Sequence, residues 1–136
     1  MNRLASLSPP LLLPLALAAC AAQGGPGARQ SEAAALAEEL ADRTAGAPVD
    51  CIDTLGVRNL VAVDARTLSY TNGSTIYVNR LRAACPGLEP YDTLIVRRFG
   101  GRLCRLDTVE PRDWGLDGVA GPRCPLSSFT PYERRE

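Results

Sequence analysis

The chain has 136 residues, 46% hydrophobic and 22% charged, the profile of one ordinary globular domain. Its 15 basic residues balance 15 acidic ones, so the basic excess of a nucleic-acid binder is missing and no nucleic-acid partner is expected. Every basic residue is Arg; with neither His nor Lys, the sequence excludes Ser-His and Cys-His nucleophiles, His-ligated metals, Schiff-base lysines and P-loops.

Residues 1–19 read as an export signal. Met1-Asn2-Arg3 starts positively charged, and Leu4 to Ala19 is uncharged, rich in Leu and Ala, and broken by Pro9, Pro10 and Pro14. That stretch is too short and too kinked for a spanning helix of ~20 residues, and it suits a secretory h-region. It ends in Leu17-Ala18-Ala19-Cys20, which resembles the lipobox of bacterial lipoproteins. The resemblance implies acylation of Cys20 and cleavage before it, giving a membrane partner through lipid alone; two or three acyl chains hold a soluble domain stably. Ala21, rather than Asp, implies sorting to the outer membrane. An ordinary signal peptide cut near Ala19 or Ala22 is the plainer alternative.

Residues 20–48 read as a tether. Gln23-Gly24-Gly25-Pro26-Gly27 is a spacer with nothing to bury. Ser31 can cap a helix from Glu32 to about Thr44, stopped by Gly46 and Pro48. Its only large apolar side chains are Leu36 and Leu40, so it either packs lightly on the domain through those two leucines or is a helical segment of the stalk, the second being the reading preferred from sequence.

Residues 49–132 read as a β domain, with 133–136 a charged tail. Val57 to Val63 is a strand, and Asp64-Ala65-Arg66 a turn. Thr67 to Tyr70 and Thr75 to Leu81 flank Asn72-Gly73, a hairpin signal. Thr93 to Phe99 and Leu103 to Val109 flank Gly100-Gly101, a second hairpin. Glu110 to Arg123 is a long loop, and Cys124 to Phe129 a short returning strand. The expected fold is mainly β: a small antiparallel sheet, partly open barrel or sandwich of five to six strands, preceded by a short helix. Register follows burial. A three-residue loop in the second hairpin puts Leu94, Val96, Cys104 and Leu106 on one face, and an odd loop in the first gathers Leu68, Tyr70, Ile76 and Val78. Asn72-Gly73 by itself prefers a two-residue turn, so propensity and burial conflict there.

Beyond Cys20, Cys51, Cys85, Cys104 and Cys124 make an even set in an exported chain, which points to two structural disulfides. Zinc wants ligands two to four residues apart and redox chemistry wants C-x-x-C; neither occurs, and no metal or cofactor is expected. Meander geometry favours Cys51–Cys104 with Cys85–Cys124, although the long loop before Cys124 reaches either place.

Several stretches carry a family resemblance. They are Cys51, Val57-Arg58-Asn59 leading to Asp64-Ala65-Arg66-Thr67, Asn79 to Leu88, Leu103 to Val109, and Cys124 to Phe129. Together these resemble a family of small exported Gram-negative proteins classed only as a domain of unknown function. The resemblance implies a compartment and domain limits, and no activity.

Chemistry is sparse. Asp64 and Asp107 are the carboxylates to nominate for hydrolysis of cell-envelope glycans, yet Asp64 reads more simply as a turn former and Asp107 as a cross-strand partner of Arg. Arg80 and Arg82 alternate on one strand end, while Arg97, Arg98, Arg102 and Arg105 surround one hairpin. Guanidinium forks suit carboxylates and phosphates of an envelope partner; the plainer role is local pairing with acids. Trp114 is either a recognition anchor or a cover on an open end of the core. The expectation is a lipid-anchored, non-enzymatic domain that binds an envelope protein or cell-wall component, with Arg80, Arg82, Arg97, Arg105 and Trp114 as binding candidates.

Overall fold

Three antiparallel sheets share one core in the computed structural model, which describes residues 27–54, 60–112 and 119–135. Helix α1 (Gly27–Ala41) leads into β1 (Arg43–Ala45). The larger sheet runs β1, β10 (Phe129–Arg134), β5 (Thr75–Arg80), β4 (Thr67–Asn72), β3 (Leu60–Asp64). A second sheet runs β6 (Thr93–Arg97), β8 (Thr108–Arg112), β9 (Cys124–Pro125), and a short ladder joins β2 (Cys51–Ile52) to β7 (Leu103–Cys104). The expected class, mainly β with a helix in front, is the one present, and no sheet closes into a barrel. Of the expected first strand, Val57 to Asn59 lies outside the described residues, as does the segment with Cys20.

Register in the first hairpin departs from the expectation. Asn72 pairs with Thr75, so the loop is the two residues Gly73 and Ser74. Gly73 takes φ 60 and Ser74 has no positive φ, the pattern of a type II′ turn. Tyr70 then faces Tyr77 and Leu68 faces Asn79, leaving Ile76 and Val78 on the opposite side. All four expected apolar residues are nonetheless buried, because both faces of the sheet are covered. One face, with Leu60, Ala62, Leu68, Tyr70 and Phe129, packs on the shared core. The other carries Ile76 and Val78, also buried. Burial therefore sets no preference between registers, and turn chemistry decides.

The helix is correspondingly not a stalk. It touches β1 at one edge of the sheet and β3 at the other. Its 15 residues span about 22 Å, enough to cross five strands about 4.8 Å apart. Leu36 and Leu40 are half-buried, while Glu38 and Glu39 are exposed. Its last carbonyls are satisfied from outside the helix: Arg43 Nε donates to Glu39 O (3.2 Å) and Arg135 Nη2 to Ala41 O (2.6 Å). Glu133 and Arg134, read as tail from sequence, are the end of β10, and Arg43 to Ala45 pairs beside them.

The second expected hairpin does not form. β6 pairs with β8, Val96 opposite Val109 and Leu94 opposite Pro111. Leu103 and Cys104 leave to pair with Ile52 and Cys51. Buried Asp107 makes this detour possible. Its carboxylate accepts the backbone N–H of Cys104 (2.8 Å) and of Phe99 (3.2 Å), not an arginine. Leu106, expected inside, turns the chain at φ 77 and stands 59% exposed.

Glu110 to Arg112, expected as loop, completes β8. Pro111 is tolerated because β9 pairs only with Thr108 and Val109, so no strand needs a donor at its nitrogen. Gly121 N instead donates to Pro111 O at 2.7 Å. A Cβ on Gly121 would lie 2.7 Å from Pro111 Cγ and 2.9 Å from its carbonyl oxygen. Gly121→Ala is accordingly expected to destabilise the domain by about 1–3 kcal/mol, read by urea unfolding.

Candidate functional site

The arginines grouped in sequence are dispersed in space. Arg105 pairs with Asp50 (3.3 Å) and Arg102 with Asp53 (2.9 Å), while Arg98 donates to Thr54 Oγ1 (3.0 Å). These three stitch the loop between β6 and β8 to residues 50–54, so they bind protein. Arg80 is exposed at a polar pocket beside Asp64 and Arg66. Trp114 lies outside the described residues. Asp64 Oδ1 accepts Arg66 N at 2.7 Å, closing its own turn, and Asp64 and Asp107 line separate clefts.

The cysteines are joined Cys51–Cys104 and Cys85–Cys124. The first closes the β2–β7 ladder, where the two residues are direct partners. The second ties the segment after β5 to β9, and so links the two main sheets.

Arg97 belongs to a different group. Alternation along β8 puts Glu110 and Arg112 on the outer face of the second sheet, while Val109 faces the core. The Glu110 side chain is only 4% exposed on that outer face, because two arginines cover it. Arg97 Nε donates to Glu110 Oε1 and Arg97 Nη2 to Oε2, and Arg123 Nε donates to Oε1 at 2.9 Å. The hydrogen bond from Arg97 holds the Glu110 carboxyl below the usual carboxylate range against the opposing effect of burial, with Arg123 adding to it. The same bond raises the Arg97 guanidinium. Two cations on one carboxylate leave this face positive.

Arg123 also borders a cleft of about 250 Å³ beside the Cys85–Cys124 bond, which Arg82 lines as well. Apolar residues of the same lining include Ala83, Ala84, Pro86 and Pro122. A second cleft, about 430 Å³, opens at the tip carrying Phe99, which is 91% exposed.

Of the nominated binding residues, then, the structure brings Arg82 beside Arg123 and ties Arg97 to the same carboxylate. Arg80 and Arg105 are elsewhere. Glu110 and Arg123 were missed from sequence. The signal was the period of two continuing through Val109-Glu110-Pro111-Arg112, obscured by proline.

The pH behaviour of Glu110 follows from the direction of its shift. A carboxyl depressed in the folded state stabilises fully above its unfolded value of about 4.3, and that contribution is lost as pH falls through the folded value. The difference in Tm between the native protein and Glu110→Gln should be constant above pH ~4.3 and shrink below it; a difference independent of pH would refute the assignment. Asp107→Ala should cost about 1–3 kcal/mol in urea unfolding, since two amide donors lose their acceptor.

No curated protein matches the chain, and no solved structure matches it. The family of unknown function DUF6491 matches residues 3–136, nearly the full length. The chain belongs to the DUF6491 family.

Proposed function

We propose that the chain is an exported lipoprotein, fastened through acyl chains on Cys20 to the periplasmic face of the outer membrane. There it serves as a non-catalytic module for an envelope protein or cell-wall component. The observation carrying this reading is the cysteine arithmetic. Five cysteines make two disulfides, and the one left over is Cys20, at the end of Leu17-Ala18-Ala19 after an uncharged Leu- and Ala-rich run. Two disulfides in a small domain favour an oxidising compartment, and an odd cysteine placed after small residues favours acylation. Binding is favoured over catalysis because Asp64 and Asp107 are committed to backbone amides, while Arg82 and Arg112 carry no acid partner among the described residues.

The reading is tested by fractionating cells that express the native chain or Cys20→Ala. The native protein should sediment with membranes, its mature form should begin at an acylated Cys20, and alkylation without reductant should label no cysteine. Cys20→Ala should move to the soluble fraction. A variant that stays membrane-bound refutes the anchor.

A further inference from the structure

We propose that the cleft beside the Cys85–Cys124 bond is a seat for a phosphate group, held between Arg82 and Arg123. The proposal rests on the reading of the domain as a binding module, and it does not depend on the anchor.

Both walls are fixed before any ligand arrives. On one side, Arg66 Nη2 donates to the carbonyls of Leu81 (3.4 Å) and Arg82 (2.9 Å). Leu81 N and Cys85 N donate in turn to the carbonyls of Arg66 (2.8 Å) and Ala65 (2.7 Å). The backbone carrying Arg82 is therefore clamped at both ends. On the other side, Gly121 is pinned to Pro111, and Arg123 stands next to Cys124, whose bond to Cys85 joins the two walls.

The arginines are placed but not neutralised. Among the described residues the Arg82 side chain has no partner, and Arg123 commits only Nε, leaving its η nitrogens without an acceptor there. Glu110, which orients Arg123, is shared with Arg97. Two guanidinium groups thus share one carboxylate, and a third, Arg82, lines the cleft that Arg123 borders. A second anion is what the arrangement lacks, and two guanidinium forks lining one cleft suit the several oxygens of a phosphate better than a single carboxylate. Because Glu110 already holds one guanidinium, less side-chain entropy is lost when the ligand binds. The apolar residues Ala84, Pro86 and Pro122 in the lining offer contact to the carbon skeleton of a phosphate ester.

The phosphate could be inorganic or a lipid headgroup, and calorimetry separates the two. The mature full-length protein is titrated with inorganic phosphate, and separately with dihexanoyl phosphatidylglycerol below its micelle concentration. Saturable binding is expected, weakened roughly tenfold by Arg82→Ala and by Arg123→Ala, the loss of one charge-assisted contact. Glu110→Gln should weaken it as well, as a positioning effect. Arg134→Ala, an exposed arginine at the end of β10, should change nothing. Tighter binding of the lipid assigns the seat to a headgroup with its glycerol against the lining prolines; equal binding assigns it to the phosphate alone. Thermal unfolding confirms that each variant folds. Absence of saturable binding by either probe, or unchanged binding in the Arg82→Ala, Arg123→Ala double variant, overturns the proposal. Neither result touches the membrane fractionation of Cys20→Ala, so the two readings fail separately.

Discussion

One covalent bond organises this domain. Cys85 trails the five-stranded sheet and Cys124 opens the last strand of the three-stranded one, so their disulfide joins two layers with no direct strand pairing between them. Closing a 39-residue separation restricts the unfolded chain by about 4 kcal/mol on the chain-entropy account, a large share of what a small domain retains. Cys51–Cys104 spans 53 residues and contributes on the same scale, though the loops overlap and their effects do not simply add. The need is physical. No sheet closes on itself, and the apolar interior is shared among short strands, so burial alone leaves little margin.

That sharing explains which parts of the fold were legible in the sequence. Alternation in Leu68 to Tyr70 and Ile76 to Val78 located β4 and β5, and the glycine at 73 located their turn. Their register was not legible, because the rule that apolar residues gather on one face assumes a sheet with one wet face. The thin stripe of α1 looked insufficient to pack for a related reason. Leu36 and Leu40 are few, but β3, a strand far along the chain, supplies the other half of the contact. A helix judged from its own residues alone loses that half.

The error around Gly100-Gly101 has another source. Two glycines between alternating runs are a fair hairpin signal, yet the pairing that wins is β6 with β8, across the whole connection of residues 98–107. What the local sequence could not reveal is that Asp107 serves as an internal cap and that Cys104 is claimed by Cys51. Once those two residues are held, Leu103 and Cys104 cannot extend β6, and Leu106 is turned outward at a positive φ. Pro111 hid the true partner strand, since proline in a central strand is ordinarily an argument against one. It survives here only because β9 is too short to reach it. The candidate site was therefore half visible: Arg82 and Arg97 were nominated from sequence, but the carboxylate that orients the group and the second wall of the cleft lay in a stretch that reads as loop.

Anchor and seat bear on one another through effective concentration. Residues 21–26 separate Cys20 from α1, at most about 20 Å of chain, so under the proposed acylation the helix start stays close to the headgroups. A short tether of this kind presents its surroundings at roughly millimolar effective concentration. A pair of arginines in an open cleft of about 250 Å³ does not need high affinity in that setting. Dissociation constants near a millimolar, worth only about 4 kcal/mol, suffice for substantial occupancy by a phosphate surface that the domain cannot leave. The same weakness makes the seat exchangeable, so a soluble phosphorylated partner could compete with lipid at the two arginines. A domain built this way requires rigidity more than strength, and the clamped walls on either side of Cys85–Cys124 supply it.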